Sequence, residues 1–230
     1  MTPETMPWGV PPRRPDLIMG LDLGQSRDYT ALVIADRDAR TDPARYDVGH
    51  VERWRETRYP SLVKTVRSRI DALNVRPAGG GPPPAITLVV DHTGVGAPFF
   101  DMFLAADLGV PIVGVTITGG QAMTKTDDGW TVPKRVLAST LQVLLQAGRL
   151  RVSDRLALTP TLVAEMRNFR VKVSLGGHDS YGAGSDWRDD AHDDLVLAAA
   201  LACWFGEHGA GGSWADVAAE TDLRAFFGGR

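Results

Sequence analysis

The sequence predicts an α/β fold, a mixed sheet of three antiparallel strands plus parallel strands, flanked by helices. Three observations lead to this prediction. Three β-like runs separated by short turns come first, apolar runs then alternate with amphipathic segments, and the rest of the chain is mainly helical. Parallel strands require crossover connections, and the amphipathic segments lie where such crossovers are needed.

The antiparallel part begins with an apolar strand at residues 17–23, LIMGLDL. A turn at 24–27 separates it from TALVIA at 30–35, and this spacing indicates a hairpin. The run YDVGHVERWR at 46–55 alternates enough to add a third strand. Together the three runs predict an antiparallel meander.

A helix, a loop and a buried strand follow the meander. Residues 60–74 have the helical period, the Gly- and Pro-rich segment 76–85 ends it, and the β-branched run 86–90 indicates a strand inside the sheet. The apolar face of the helix is formed by Leu62, Val66, Ile70 and Leu73.

The central region repeats this alternation. A helix at 98–107 precedes a β-rich run at 112–118, and the polar segment 119–131 is predicted to be irregular and mobile. The next helix, 133–147, has proline near its first turn and Gly148 just beyond its end, as helices commonly do.

The C-terminal region is predicted to contain two helices around a glycine-rich loop. The first helix spans 159–170, with Thr159 as its cap and Pro160 in its first turn. The loop spans 171–190. The second helix, DDLVLAAALACWF at 193–205, has small residues that allow close packing on a sheet.

The length of 230 residues fits one large domain or two small ones, and the content of 43% hydrophobic and 23% charged residues is ordinary for a soluble globular domain. We expect this domain at 16–208, between a Pro-rich lead-in at 1–15 and a Gly-rich linker with a short tail at 209–230. The single cysteine, Cys203, permits no intrachain disulfide and suits a reducing cytoplasm. No run approaches the roughly 20 apolar residues that a membrane helix needs, so we expect no membrane partner.

Net charge is −3, so nucleic-acid binding would depend on local basic patches rather than on a global positive field. The sequence contains one cluster of basic residues, which indicates either a phosphate-binding surface or a solvated helix face. It comprises Arg53, Arg55, Arg58, Lys64, Arg67 and Arg69.

Acidic residues stand where three predicted elements end or begin. Asp22 and Asp91 end apolar strands, and Asp193 and Asp194 begin the small-residue helix. Each residue alone is also explained as a turn or helix-start residue. Together, converging carboxylates repel one another and invite divalent cations. They predict a two-metal phosphodiester-cleaving centre, in which one ion activates water and the other stabilises the leaving oxygen.

Oxygen ligands suit Mg2+ or Mn2+, whereas the sequence has no His/Cys spacing typical of zinc. His192, next to the acidic pair, is a candidate proton carrier or supporting contact.

These motifs resemble the nuclease domain of bacteriophage terminase large subunits, in the RNase H-like (retroviral integrase) superfamily. GLDLGQSRDYTALVI resembles its first-strand motif, with Asp22 as the catalytic aspartate, and VVDHTGVGAP its second, with Asp91. AHDDLVLAAALA is similar to its final helix motif, with Asp193 as the catalytic acid and Asp194 as a close second. VPKRVLASTLQVLLQAGRLRV and LVAEMRNFRVK are also similar, so the resemblance spans 17–205.

The resemblance implies an endonuclease that uses two Mg2+ or Mn2+ ions to cut concatemeric viral double-stranded DNA during genome packaging in the host cytoplasm. It implies a phosphate contact for Lys134, whose alternative is a solvated cation in the first turn of a helix. It also implies a terminase ATPase domain, the small terminase subunit and the portal as partners. The chain lacks the GxxxxGK[ST] phosphate loop of the family's packaging ATPase, so we expect either an excised or separately encoded nuclease part or a role other than packaging.

Three alternatives stay open. Another RNase H-like nuclease, such as a Holliday-junction resolvase, would use the same site on a different substrate. DLGQS and DHTGVG resemble phosphate-binding turns of nucleotide-binding lobes of the actin, heat-shock-chaperone and sugar-kinase type, although that class normally needs two lobes. A non-catalytic DNA-binding or assembly module would retain only the fold.

Overall fold

The computed structural model describes residues 16–24, 28–75, 82–93, 97–126, 129–169 and 192–209. The strands in these ranges are β1 (Asp16–Asp22), β2 (Tyr29–Asp38), β3 (Arg45–Arg55), β4 (Ala85–Asp91), β5 (Ile112–Thr118), β6 (Thr124–Thr126), β7 (Gly129–Pro133) and β8 (Leu150–Val152). The helices are α1 (Tyr59–Leu73), α2 (Ala97–Ala105), α3 (Lys134–Gln146), α4 (Thr159–Asn168) and α5 (Asp194–His208).

The described strands form one sheet in the order β6-β7-β5-β4-β1-β2-β3-β8. Strands β1, β2 and β3 pair as the predicted antiparallel meander. Strands β4, β5 and β7 then extend the sheet parallel to β1. The predicted mixed sheet is confirmed, and its topology brings the C-terminal ends of four parallel strands to one edge.

The prediction of an irregular segment at 119–131 is wrong, because this segment contributes β6 and the start of β7. Trp130 of β7 is buried, and its ring meets that of Trp204 in α5 edge-on, with centroids 6.0 Å apart. Gly129 has a φ of +143°, and a Cβ atom there would collide with the carbonyl of Gly114 in β5. Strand β7 therefore depends on contacts with distant parts of the chain more than on the hydrophobic pattern of its own sequence.

The predicted cap of α4 is also wrong. Thr159 is the first helical residue and Leu158 occupies the cap position, without a capping side-chain hydrogen bond. The Thr159 hydroxyl instead donates to the carbonyl of Ser153, at 2.5 Å. The predicted loop at 171–190 lies outside the described residues, as do the lead-in at 1–15 and nearly all of the tail.

Apolar side chains form one cluster on each face of the sheet. One joins the sheet to α3, α4 and α5, and the other joins it to α1 and α2. Helix α5 lies at the centre of the first face, so close to β1 that a Cβ atom at Gly20 would collide with the carbonyl oxygen of Ala198. It begins one residue later than predicted and continues through Gly206 to His208.

Cys203 of α5 is buried in this core. No helix in the described ranges is both long enough and apolar enough to span a bilayer.

Candidate active site

Asp22 and Asp91 lie side by side at one edge of the sheet. Strands β1 and β4 are parallel, and these two residues are partners in register. Because side chains alternate along a strand, Asp22 shares the face of Gly20, against which α5 packs, and Asp91 shares the face of the core residue Val89. Both carboxylates therefore lie on the α5 side of the sheet, on strands roughly 4.8 Å apart.

The same row of the sheet contains an arginine. Asp22 is in register with Ala31 of β2, and Ala31 with Arg53 of β3. The Arg53 side chain is only 13% exposed, and its Nη2 donates to Oδ1 of Asp194 at 2.6 Å. Its guanidinium also lies 3.8 Å from the centre of the Tyr29 ring. Arg53 thus connects the sheet to the start of α5.

The two acids at the start of α5 have different environments. Asp193 is the residue before the helix and Asp194 is its first residue. Asp194 is buried, whereas the Asp193 side chain is 44% exposed and its Oδ2 accepts from Nζ of Lys134 at 2.6 Å. Consecutive residues do not share a helix face, which explains the difference.

The four predicted acids are close enough to affect one another electrostatically. Burial raises the pKa of Asp22 well above its usual range, and the negative charges of Asp91, Asp193 and Asp194 raise it further. Burial also raises the pKa of Asp91, against hydrogen bonds from the following turn, and that of Asp194, against its bond to Arg53. Among the residues that the structure describes, the site is therefore a cluster in which carboxylates outnumber the cations paired with them.

Glu165 of α4 is a buried fifth carboxylate that the sequence interpretation missed. Its Oε2 accepts from the backbone N–H of Val196 at 3.1 Å, and its Oε1 lies 3.5 Å from Nη2 of Arg53. Burial raises the pKa of Glu165 to about 7, the charge of Asp194 raises it as well, and the Val196 N–H and Arg53 oppose the shift.

The sequence contains a signal for both Glu165 and Arg53. Glu165 lies three positions after Leu162, on the face of α4 that Leu162 buries, and an acid on an apolar helix face is unusual. Arg53 follows Val51 at the strand spacing, on the face that packs against α5. Both are charged residues at inward positions.

The donor chemistry of this cluster fits a hard divalent cation, because every donor is a carboxylate oxygen. Oδ2 of Asp194 and Oε1 of Glu165 are buried, and no described residue forms a hydrogen bond to either oxygen. Among the residues that the structure describes, no group of three or more His, Cys, Asp or Glu side chains is already arranged to enclose an ion. Arg53 pairs with Asp194, and Lys134 pairs with Asp193.

The two auxiliary candidates lie at the border of this cluster. His192 is exposed and meets the Tyr29 ring edge-on, with centroids 5.0 Å apart. Lys134, 38% exposed, is paired with Asp193. Lys134 lies in the first turn of α3, and its role at the site stays a prediction.

About half of the predicted basic cluster stabilises the fold. Besides Arg53, Nε of Arg69 donates to Oε1 of Glu52 at 2.7 Å, and Arg67 donates to the carbonyl of Ala106 just after α2. The remaining members are exposed: Arg55, Arg58 and Lys64.

Comparison with known proteins identifies the fold. Residues 19–203 match the family model described as "Terminase RNaseH-like domain". The large terminase nuclease of thermophilic phage G20c matches with 21% identity and a TM-score of 0.52, over 82% of this chain and 81% of that one. Its magnesium-bound structure matches with 22% identity and a TM-score of 0.53, over 82% and 80%.

The manganese-soaked nuclease domain of the human cytomegalovirus terminase is also similar, with 8% identity and a TM-score of 0.51, over 85% of each chain. At these identities the structural likeness shows the fold, which is RNase H-like. No curated protein sequence matches this chain.

Proposed function

The chain belongs to the terminase RNaseH-like domain family, and we propose that it is a metal-dependent endonuclease that cuts concatemeric viral double-stranded DNA during genome packaging. One observation carries the proposal. Asp22 and Asp91 are register partners at the sheet edge where α5 begins, and the charges of Asp193 and Asp194 act on Asp22. A carboxylate cluster of this kind is the donor set of a two-metal nuclease.

Asp22, Asp91 and Asp194, with Asp193 beside them, would hold two Mg2+ or Mn2+ ions. Bound ions would supply an activated water and stabilise the leaving oxygen. The choice of ions is supported by two similar terminase nucleases, one with bound magnesium and one soaked with manganese. We assign the inward role to Asp194 rather than Asp193, because Asp194 is buried and one of its oxygens is unpartnered.

The exposed residues around the acids would contact DNA and move protons. Arg55 is the last residue of β3 and Arg58 follows it, and β3 ends at the same sheet edge as the acids, so the two arginines would bind phosphates. Lys134 would do the same once Asp193 releases it, and His192 would exchange protons with solvent.

Residues 16–208 form the proposed nuclease domain. An ATPase domain, the small terminase subunit and the portal are its proposed partners, in the cytoplasm of an infected cell.

Plasmid cleavage tests the proposal. Wild-type protein should nick and linearise supercoiled DNA with Mg2+ or Mn2+ and stop when EDTA is added. Asp22→Ala and Asp91→Ala should abolish cleavage while unfolding at or above the wild-type temperature, because each relieves like-charge repulsion. Normal cutting by both variants would contradict the site. Thermal stabilisation by ATP, with no cutting, would favour the nucleotide-binding class.

DNA affinity should fall steeply with added salt, because phosphate contacts release counterions. Arg55→Ala should reduce the slope of log affinity against log salt by about 1. Arg151→Ala is the matched control, since Arg151 is also exposed but lies on β8, next to the start of β3, where it pairs with Asp47. Equal slopes for the two variants in a fluorescence-anisotropy titration would refute the DNA contact at Arg55.

A further inference from the structure

Arg53 is a fixed part of the site. Its guanidinium contacts Oδ1 of Asp194 at 2.6 Å, Oε1 of Glu165 at 3.5 Å and the ring of Tyr29 at 3.8 Å. With 13% of its side chain exposed, it differs from the arginines that contact solvent around it. A planar guanidinium with several simultaneous partners fixes direction as well as charge.

The bond from Arg53 leaves the two oxygens of Asp194 unequal. Oδ1 accepts from Arg53, whereas Oδ2 is buried and has no hydrogen-bond partner in the part of the chain that the structure describes. A buried carboxylate oxygen without a donor is costly, so this atom is explained best by a ligand of the working protein. On Asp193, Oδ2 is already bonded to Lys134.

Glu165 joins Arg53 to the same end of α5. Its Oε2 accepts from the N–H of Val196, in the first turn of the helix that carries Asp194. Its second oxygen lies beside the guanidinium. Strand β3, helix α4 and helix α5 are thus connected through one arginine.

We propose that Arg53, anchored by Glu165, is a positioning residue that holds the Asp194 carboxylate by Oδ1 and keeps Oδ2 available to a divalent cation. This inference rests on the proposed nuclease function. It predicts that Arg53 acts on metal affinity before any DNA is present. Partners that orient metal ligands typically account for about 10–100-fold in metal affinity or activity.

The test compares full-length wild-type protein with Arg53→Gln, Arg53→Lys and Glu165→Gln. Mn2+ affinity is measured by isothermal titration calorimetry without DNA, and the Mn2+ concentration for half-maximal plasmid cleavage is measured separately. Arg53→Gln should weaken the Mn2+ affinity, and raise the Mn2+ concentration for half-maximal cleavage, by about 10–100-fold each. Arg53→Lys should recover part of the loss, because it keeps the charge without the planar geometry.

Arg149→Gln is the matched control. Arg149 is equally buried, at 12% exposure, and bonds to Glu207 at 2.6 Å near the other end of α5. This variant should unfold at a lower temperature and keep the wild-type Mn2+ affinity.

Wild-type Mn2+ affinity in Arg53→Gln would overturn the inference, even if cleavage were lost. If Arg53→Gln fails to fold, Glu165→Gln decides, because its amide oxygen still accepts from Val196 while the anchoring charge is gone. Unchanged Mn2+ affinity in Glu165→Gln would overturn the inference about Arg53 but not the proposed function. Wild-type protein that neither binds Mn2+ nor cuts DNA would overturn the proposed function as well.

Discussion

The two ends of helix α5 contain similar ion pairs with different electrostatic balances. At its C-terminal end, Oε1 of Glu207 accepts from the Tyr46 hydroxyl at 2.7 Å and from Nη2 of Arg149 at 2.6 Å. At its N-terminal end, Arg53 bonds to Asp194 at the same 2.6 Å, yet Oδ2 of Asp194 keeps no partner.

The surrounding charges account for this difference. One carboxylate is matched by one arginine and one hydroxyl at the C-terminal end. At the other end, within the described ranges, the carboxylates outnumber the cations paired with them: Asp22, Asp91, Glu165, Asp193 and Asp194 against Arg53 and Lys134. An ion pair alone thus indicates stability, whereas a surplus of buried charge of one sign indicates a ligand.

The largest expected effect separates the two acids at the start of α5. Asp194→Asn should abolish cleavage, because it changes the buried carboxylate whose Oδ2 is unpartnered. Asp193→Asn should retain measurable cleavage, because that side chain is half-exposed and paired with Lys134. Single-turnover cleavage rates at saturating Mn2+ measure the difference. The reverse order of rates would return the catalytic role to Asp193.

A smaller effect is expected at the opposite end. Glu207→Gln should lower the free energy of unfolding by about 2 kcal/mol, because Arg149 and the Tyr46 hydroxyl lose a charged acceptor. Cleavage and its Mn2+ dependence should not change. Urea unfolding and plasmid cleavage measure the two quantities, and altered Mn2+ dependence would show that the ends are not independent.

The smallest expected effect is a pH dependence of stability that arises at the N-terminal end. Burial raises the pKa of folded Glu165 to about 7 from its ordinary 4.5, so the folded protein binds this proton more tightly than the unfolded chain. Stability of the metal-free protein should therefore fall as pH rises from about 4.5 to about 7.

Glu165→Gln should flatten this decline, because it removes the carboxyl group that binds the proton. Melting temperatures in EDTA across the same pH range test the prediction. Parallel curves for wild type and Glu165→Gln would show that Glu165 does not titrate in that range.

Much of the framework could be predicted from the sequence, because its signals are local. Strand β5 has the bounds predicted for it, Ile112–Thr118, since its β-branched run is unambiguous. The small residues of α5 predicted close packing, which Gly20 permits. The hairpin of β6 and β7 could not be predicted, because its polar sequence is held by the distant contact of Trp130 with Trp204.

The site likewise contains residues that the sequence could predict and residues that it could not. Asp22 and Asp91 are predictable because parallel strands bring their ends to one edge. Arg53 and Glu165 form their contacts with residues 141 and 31 positions away, through inward positions that a hydrophobic pattern does not identify. The choice between Asp193 and Asp194 depends on the residue at which α5 begins, and sequence patterns place helix ends least accurately.

A crystal structure of the protein soaked in Mn2+ tests the central claim most directly, because manganese is located by its anomalous scattering. We predict anomalous peaks at bonding distance, about 2.1 Å, from carboxylate oxygens of Asp22, Asp91 and Asp194. Arg53 should remain on Oδ1 of Asp194. Manganese bound elsewhere would contradict the account. So would a structure in which these three carboxylates stay apart and no manganese binds at this sheet edge.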